Sequence, residues 1–454
     1  MFFDRPDTGE RALLVHCAFG GVAFSGVTNS EQQEGAANSK PATALPEVAE
    51  FVDLVTSAGV TPVYLEVARR ARPTPNYFIG SGKVETVADL VRENGIEVVI
   101  FNHELSPSQE RNLEKRFQCQ VLDRTGLILD IFAQRARSHV GKLQVELAQL
   151  EHISTRLVRG WTHLERQKGG IGLRGPGESQ LETDRRLLRE RMKWLHKRLA
   201  KVRAQQQQSK RGRTRAEVPT IALVGYTNAG KSTLFNALTQ ANVYAQDQLF
   251  ATLDTTLRAF ELPGFGNVVF ADTVGFVREL PHKLVEAFKA TLEEAAEADV
   301  LLHVVDASSV DREEQIAACE AVLAEIGADH IPTIVVMNKI DSIEGLHPRL
   351  DMPSISEPRG AHCRVWVSAG EELGIPLLEE ALRTRLGADL WQGEVTLAPG
   401  EARLRAELFA QGAVAAESTG PEGQIVLSLS YRREALERLF RENGSDFMAC
   451  DTPG

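Results

Sequence analysis

Short apolar runs alternate with amphipathic stretches from Ala12 to Asp130. Strand and helix signals that alternate in this way are typical of a small α/β domain with a mainly parallel sheet. We expect such a domain at residues 1–137, with a surface insertion at the Ser-, Asn- and Gly-rich Gly26–Pro46. The segments are Ala12–His16, Val48–Ser57, Pro62–Glu66, Glu97–Phe101, Ser106–Arg116, Gln120–Asp123 and Thr125–Ala136.

Two long segments that follow are charged and almost free of glycine and proline. Ser138 to about Arg166 and Gln180 to about Lys210 carry leucines at helical spacing, which predicts two long helices. The glycine-dense loop Gly169–Gly177 lies between them, and the polar, basic tract Gln205–Arg215 predicts a linker. We therefore expect residues 138–216 to form a basic helical hairpin with a Gly-rich tip and a linker.

Apolar runs typical of buried strands recur after residue 217, at Thr220–Val224, Val268–Ala271 and Ile334–Met337. They predict a doubly wound, mainly parallel sheet over residues 217–386. From about Leu390 the chain offers candidate strands at Ala402–Ala410 and Gln424–Leu429 and a helix at Arg432–Arg441. A small C-terminal α+β domain at 387–454 completes a multidomain α/β protein.

Composition excludes some classes of protein and shows that positive charge is concentrated in one segment. No apolar run reaches the roughly 18 residues of a spanning helix, and the N-terminus lacks a signal-peptide pattern. Five cysteines without a CxxC pair fit a reducing cytoplasm. Within a net charge of −11, the segment Glu151–Arg215 holds 18 Lys/Arg and 6 Asp/Glu. We expect a cytoplasmic monomer without stable membrane insertion and at most a peripheral membrane-associated fraction.

A phosphate-binding loop follows the run at Thr220. The residues Gly225-Tyr226-Thr227-Asn228-Ala229-Gly230-Lys231-Ser232 match GxxxxGK[ST] between a strand signal and the helix-like Thr233–Leu238. Backbone N–H groups at a helix N-terminus bind anionic phosphates. Lys231 adds a positive charge for the β- and γ-phosphates and is a predicted catalytic residue, and the Ser232 hydroxyl is a predicted Mg²⁺ ligand.

A second motif follows the predicted strand that begins at Val268. Asp272-Thr273-Val274-Gly275 brings a carboxylate near the Mg²⁺ and the Gly275 N–H near the γ-phosphate, a predicted catalytic role. Between it and the loop lies Phe250-Ala251-Thr252-Leu253-Asp254-Thr255-Thr256. We expect Thr252 to be the threonine that binds Mg²⁺ and contacts the γ-phosphate, with Thr255 and Thr256 as alternatives.

Two further elements predict a guanine site. Asn338-Lys339-Ile340-Asp341 follows a buried-strand signal, and its aspartate can accept both guanine N1–H and the N2 amino group, which adenine lacks. Val365–Val367 leads into Ser368-Ala369-Gly370, whose backbone can meet guanine O6. Four short motifs in this order predict a GTPase with Mg²⁺ as its cofactor.

Phe276 departs from a common GTPase pattern. A glutamine that orients the attacking water often follows the glycine of this motif, whereas Phe276 has no group that hydrogen-bonds water. Either another residue or an external partner supplies that group, or Phe276 is only a hydrophobic plug. All three alternatives predict slow intrinsic turnover.

These motifs together resemble the HflX GTPases, a translation-factor-related family. The resemblance continues outside the nucleotide motifs through Tyr77–Lys83, Leu122–Thr125 and Gly175–Glu182. It implies binding to the large ribosomal subunit, separation of stalled or idle ribosomes, and GTP hydrolysis stimulated by ribosomal particles. The family is also credited with ATP binding or hydrolysis through its N-terminal domain. Gly80–Lys83 is too short for a second phosphate loop, so we read it as a loop and assign no ATP-site residues, and an ATPase activity of this domain stays open.

The basic hairpin agrees with an RNA partner, because clustered Lys/Arg neutralise phosphates. We expect RNA contacts from Arg174 in the tip loop and from Arg185, Arg186 and Arg189 on the second helix. Two other functions stay open at this point. One is a ribosome assembly or storage factor gated by GTP without splitting activity; the other, a regulator of a membrane protease, is disfavoured because the basic helices lack an aromatic-rich apolar face.

Overall fold

The fold is known from a computed structural model, which describes most of the chain. The described residues are 10–19, 46–159, 176–215, 218–239, 249–250, 252–253, 255–263, 265–278, 292, 294–352, 363–387, 390–398, 400–419, 424–443 and 445. The predicted insertion up to residue 45, the tip-loop residues through Gly175 with Arg174, and the site residues Ala251 and Asp254 lie outside them.

The N-terminal domain is a four-stranded parallel sheet covered by helices on both faces. Its strands are β1 (Arg11–Phe19), β2 (Thr61–Arg70), β3 (Val98–Phe101) and β4 (Gln120–Leu122), in the order β2-β1-β3-β4. Its helices are α1 (Pro46–Ser57), α2 (Ser81–Asn94), α3 (Pro107–Phe117) and α4 (Arg124–Arg135). The predicted parallel α/β domain is therefore confirmed, since strand–helix alternation forces crossovers that bury both faces of the sheet.

One detail of this domain differs from the sequence prediction. Gly80 is the N-cap of α2, and Ser81–Lys83 form its first helical turn rather than a loop. Val84, Val87 and Val91 lie buried on one face of that helix, so apolar packing on the sheet extends the helix back to Gly80.

The basic hairpin consists of α5 (His139–Arg159) and α6 (Pro176–Arg215). The two helices pack through the buried Leu143, Leu147 and Leu150 on one side and Leu195 and Leu199 on the other. The predicted linker Gln205–Arg215 is wrong, because α6 continues through it to Arg215. Gln, Lys and Arg are good helix formers, and the single Gly212 does not end the helix.

The central domain holds a seven-stranded sheet with helices between its strands. In chain order the elements are β5 (Thr220–Gly225), α7 (Lys231–Thr239), β6 (Thr256–Leu262), β7 (Gly266–Asp272), β8 (Val300–Asp306), α8 (Arg312–Glu325), β9 (Thr333–Asn338), a 3₁₀ turn (Ile340–Ser342), β10 (Arg349–Asp351), β11 (Cys363–Trp366) and α9 (Ile375–Gly387). The strand order is β10-β11-β9-β8-β5-β7-β6. The strands pair in parallel except β6 with β7 and β10 with β11, as the doubly wound prediction requires.

The C-terminal domain is a three-stranded antiparallel sheet with two helices. It contains β12 (Leu390–Leu397), α10 (Ala402–Ala410), β13 (Val414–Thr419), β14 (Ile425–Arg432) and α11 (Arg433–Glu442), with strand order β12-β14-β13. The strand predicted at Ala402–Ala410 is wrong, because this segment is a helix. Leu404 and Leu408, four residues apart, are both buried, and Arg403 pairs with Glu407 at the same spacing.

The lengths and apolar character of the helices can be compared with those of a membrane-spanning helix. Among the helices in the described ranges, none combines the length and the apolar character that crossing a bilayer requires.

Candidate nucleotide-binding site

The loop Gly225–Ser232 lies at the carboxyl end of β5, where backbone geometry requires glycine at two positions. Gly225 has φ +146° and Gly230 has φ +92°. A Cβ at Gly225 would lie 2.2 Å from the Val304 carbonyl oxygen, and a Cβ at Gly230 would lie 2.3 Å from Asn338 Nδ2. Both positions therefore exclude any side chain.

The middle of the loop is fixed from two sides. The Thr227 N–H donates to the Phe276 carbonyl oxygen at 2.7 Å, and the Phe276 N–H donates to the Gly225 carbonyl oxygen at 3.1 Å. On the other side, Asn338 Nδ2 donates to the Ala229 carbonyl oxygen at 2.9 Å. Tyr226 and Ala229 are buried and Asn228 is exposed. The phosphate-binding loop is thereby held in place by both the Asp272–Gly275 segment and the base-reading segment.

Lys231 begins α7 with its side chain folded into the loop. Its Nζ donates to the carbonyl oxygens of Tyr226 at 2.7 Å and Gly225 at 3.1 Å, and the residue is buried. Burial lowers the pKa of Lys231 to about 8, while the nearby Asp272 carboxylate acts in the opposite direction. A desolvated ammonium beside the loop is a strong partner for phosphate charge.

Three oxygen-bearing side chains converge next to the loop. Ser232 Oγ and Thr252 Oγ1 donate to Asp272 Oδ2 at 2.8 and 2.9 Å, and the two hydroxyl oxygens are 2.7 Å apart. Asp272 is completely buried and its Oδ1 has no hydrogen-bond partner. Burial raises the pKa of Asp272, against the hydrogen bond from Ser232 and the charge of Lys231. An orphaned buried carboxylate oxygen beside two hydroxyls suits a hard divalent cation.

Thr252 is the candidate threonine that lies beside this carboxylate, with hydrogen-bond distances to both Ser232 and Asp272. Thr256 instead begins β6. Phe250 and Leu253, which flank Thr252, are buried. In the neighbouring segment the Thr273 hydroxyl donates to the Leu223 carbonyl oxygen at 2.6 Å, and Val274 is buried.

Gly275 lies against the phosphate-binding loop. A Cβ at Gly275 would lie 2.9 Å from Lys231 Nζ and 3.0 Å from Thr227 Cα. Glycine at this position therefore lets the Asp272–Gly275 segment approach the loop closely.

The predicted base-reading residues meet at the carboxyl ends of the neighbouring parallel strands β9 and β11. Asn338 Oδ1 accepts the Ala369 N–H at 2.9 Å, and Ser368 Oγ donates to Asp341 Oδ1 at 2.5 Å. Lys339 has φ +62°, and its Nζ lies 2.9 Å from Asp306 Oδ2. Ile340 is buried and Gly370 is exposed. The Asp341 carboxylate and the Ser368–Gly370 backbone are therefore neighbours at the carboxyl ends of β9 and β11.

Phe276, the residue after Gly275, is an apolar core residue. Its side chain is 1% exposed and packs in a buried cluster with Tyr226, Leu292 and Cys319. It therefore has no route to a water at the phosphate, which agrees with its interpretation as a hydrophobic plug.

Comparison with known proteins decides the family. Residues 46–133 match the family described as "GTP-binding GTPase N-terminal", residues 135–213 match "GTP-binding GTPase Middle Region", and residues 220–339 match "50S ribosome-binding GTPase". The chain is similar to the GTPase HflX of Escherichia coli (strain K12), with 52% identity over 94% of this chain and 95% of that protein. The chain belongs to the HflX family of GTPases. It therefore binds guanine nucleotides and hydrolyses GTP.

Further relatives bear the same name. The GTPase HflX of Magnetococcus marinus is 48% identical over 80% of this chain and 83% of that protein. Among solved structures, a GTP-binding protein from Sulfolobus solfataricus in complex with GDP aligns with 83% of this chain and 98% of its own, at 21% identity and a TM-score of 0.42.

In this HflX chain the N-terminal domain contacts the nucleotide site through a polar network that sequence analysis missed. The Tyr226 hydroxyl donates to the Glu50 carboxylate and accepts the Arg278 N–H at 2.6 Å. Arg124 donates to Glu50 at 2.6 Å and to the Arg278 carbonyl oxygen at 2.9 Å. Burial and the Glu50 carboxylate raise the pKa of Tyr226, so it remains a donor. The sequence carries no signal for this network, because its members lie far apart in the chain.

The hairpin arginines of the HflX chain occupy different environments. Arg186 and Arg189 are exposed on α6, and Arg186 lies 3.9 Å from Glu190. Arg185 is partly buried. Arg156 pairs with Glu110 and Asp123, and Arg191 with Glu146, at 2.6 to 2.7 Å. These acids lie outside the basic segment Glu151–Arg215. The net positive charge counted within that segment is therefore larger than the charge left after these ion pairs.

Proposed function

We propose that this chain is a GTP-driven factor that binds the large ribosomal subunit through rRNA and separates stalled or idle ribosomes. One observation carries the proposal: a guanine-nucleotide site and a strongly basic helix are parts of one chain. Helix α6 holds 13 Lys/Arg and 4 Asp/Glu between Pro176 and Arg215. The description of the matched family over residues 220–339, a 50S ribosome-binding GTPase, supports the same partner.

Mg²⁺ is the cofactor that the site fits. We assign Ser232 and Thr252 as its hydroxyl ligands and Asp272 as the carboxylate beside it, supported by their mutual distances of 2.7 to 2.9 Å and the unpartnered Asp272 Oδ1. When bound, the ion neutralises charge on the β- and γ-phosphates. Gly225–Ser232 surrounds the phosphates, Lys231 supplies the mobile charge, and the Gly275 N–H meets the γ-phosphate.

Base selection belongs to the segment after β9. Asp341 accepts the two donors on the guanine edge, and the Ser368–Gly370 backbone meets O6. The buried hydrogen bonds of Asn338 to Ala229 and Ala369 support a rigid link between base and phosphate recognition.

Slow intrinsic turnover follows from Phe276, whose buried apolar side chain cannot orient the attacking water. We propose that the large ribosomal subunit accelerates hydrolysis by ordering the segments around Thr252 and Gly275. The test is GTP turnover with and without large subunits. A marked acceleration is expected, and equal rates would reject the proposal.

A matched pair of lysine variants completes that test. Lys231→Ala removes the main side-chain partner of phosphate charge and abolishes turnover in both conditions. Lys115→Ala changes an exposed lysine on α3 and leaves both rates unchanged. Hydrolysis that survives in Lys231→Ala would contradict the role assigned to this lysine.

A further inference from the structure

The segment that carries Thr252 inserts apolar side chains into the N-terminal domain. Phe250 is 2% exposed, and its ring lies edge-on to Phe132 of α4, with centroids 4.6 Å apart. Leu249 and Leu253 are buried in the same cluster, which otherwise consists mainly of N-terminal residues such as Phe51. The N-terminal domain thus packs against the segment that carries Thr252.

Polar and backbone features fix this insertion in register. The Leu249 N–H donates to Ser57 Oγ of the N-terminal domain at 3.2 Å. Phe250 has φ +57°, an uncommon backbone conformation for an aromatic residue, which burial of its ring compensates. Two residues after this anchor, the Thr252 hydroxyl lies against Ser232 and Asp272.

We propose that Phe250 is a positioning residue for GTP hydrolysis. Anchored against Phe132, it holds Thr252 at the Mg²⁺ and γ-phosphate position; it touches neither nucleotide nor metal itself. Two residues of chain span at most about 7 Å, so an anchor at Phe250 restricts where Thr252 lies. The inference rests on the metal-binding role proposed for Thr252.

The same cluster contains Val274 and Val277, which flank Gly275 and Phe276. The N-terminal domain therefore holds both nucleotide-sensing segments through one apolar surface. Because coupling between sites is reciprocal, a γ-phosphate that holds Thr252 also tightens the contact of Phe250 with α4.

The test uses the full chain and compares GTP turnover with GDP affinity. In Phe250→Ala, kcat falls about 10- to 100-fold because the threonine loses its fixed geometry. Hydrolysis also requires more Mg²⁺, whereas GDP affinity stays the same, since GDP lacks the phosphate that Thr252 contacts. Phe132→Ala acts in the same direction from the opposite side of the contact. Phe250→Leu, which keeps an apolar anchor, gives a smaller fall and decides the question if Phe250→Ala does not fold.

Two further variants make the outcomes distinguishable. Phe117→Ala removes an equally buried phenylalanine from the opposite face of the N-terminal sheet, in a cluster that contains only N-terminal residues among those described, and leaves kcat unchanged. Thr252→Ala lowers kcat directly. Wild-type turnover in Phe250→Ala and Phe250→Leu, with low turnover in Thr252→Ala, would overturn the positioning role alone. Wild-type turnover in Thr252→Ala would overturn the metal assignment and this inference with it.

Discussion

At the scale of single residues, Asp341 is exposed and its carboxylate accepts hydrogen bonds from two serine hydroxyls, the longer one from Ser342 Oγ to Oδ2 at 3.4 Å. Ser368 Oγ donates to Asp341 Oδ1 at 2.5 Å. An asparagine at this position can still accept that hydrogen bond through its oxygen and turn its amide nitrogen toward the base. The variant therefore changes the pattern of donors and acceptors without removing the local support.

Asp341→Asn is expected to weaken GTP binding by roughly 100-fold or more, because the guanine N1–H and N2 amino donors lose their paired acceptors. Xanthosine triphosphate, which presents an acceptor where guanine has the amino group, binds better to the variant. Competition between the two nucleotides measures the change, with the exposed Asp351→Asn as a control. An unchanged preference would remove Asp341 from base recognition.

His103 gives a second prediction at this scale, on stability. Burial, with the neighbouring His16 as the next cause, lowers the pKa of His103 to about 4. Its Nε2 accepts the Cys17 N–H at 3.1 Å, which requires the neutral ring. The histidine takes up its proton near pH 6.5 in the unfolded chain but only near pH 4 in the folded protein. The contribution of His103 to the free energy of unfolding is therefore fully present above pH 6.5 and is lost as the pH falls toward 4.

Thermal unfolding at pH 7 and pH 5 measures this contribution. The wild-type protein is expected to show a larger fall in Tm between these pH values than His103→Gln, whose amide accepts the same hydrogen bond without titrating. Other acidic and histidine groups, including His16, are common to both proteins and cancel in the difference. Equal falls in Tm would show that the folded His103 titrates normally.

At the scale of elements, the order of strands and helices was largely predictable, because buried parallel strands appear as apolar runs such as Ile334–Met337 and Val268–Ala271. The prediction failed where local pattern was ambiguous. Ala402–Ala410 has few large apolar residues, and their helical spacing became decisive only once Leu404 and Leu408 were known to be buried. The polar tract Gln205–Arg215 lacks large apolar residues altogether, so only its helix propensity indicated α6.

The nucleotide site was more predictable than the contacts around it. A phosphate-binding loop needs particular residues at fixed spacing, so Gly225–Ser232 and Asp272 could be named from the sequence. Phe250, Glu50 and Arg278 contact residues distant in the chain, and an apolar or charged residue carries no sign of its partner. Interdomain contacts of this kind required the structure.

Helix α6 supports a prediction about rRNA binding. Changing Arg185, Arg186 and Arg189 together to Gln should weaken binding to the large ribosomal subunit and flatten its salt dependence, by a slope of roughly 0.7–0.9 for each phosphate that these arginines neutralise in the wild-type protein. GTP affinity stays unchanged, and Gln preserves helix propensity. The Arg186–Glu190 pair is exposed, so its removal has little effect on stability.

The matched control removes three positive charges from the central domain instead. Arg364, Arg383 and Arg385 are exposed there, and their exchange for Gln should leave ribosome binding and its salt slope unchanged. Equal slopes for the α6 variant and the wild-type protein would show that its arginines form only a solvated face.

At the scale of the whole molecule, the N-terminal domain contacts the nucleotide site through two surfaces. One is the apolar contact of Phe250 with Phe132, and the other is the polar network of Glu50, Tyr226 and Arg278. Helix α5, the first helix of the hairpin, begins shortly after α4, and its Val145 and Ala148 lie in the same buried cluster as Phe132 and Phe250. Packed residues therefore connect the segment that carries Thr252 with the hairpin. For the proposed ribosome-separating function, this connection would give GTP hydrolysis a physical means of acting on the ribosome.

The most direct test of that action is light scattering of intact ribosomes mixed with the protein. With GTP, scattering is expected to fall as ribosomes separate into subunits, and with Lys231→Ala it should stay constant. A non-hydrolysable analogue shows whether binding or hydrolysis drives the separation. Constant scattering with the wild-type protein and GTP, while sedimentation shows the protein bound to large subunits, would contradict splitting and favour an assembly or storage factor.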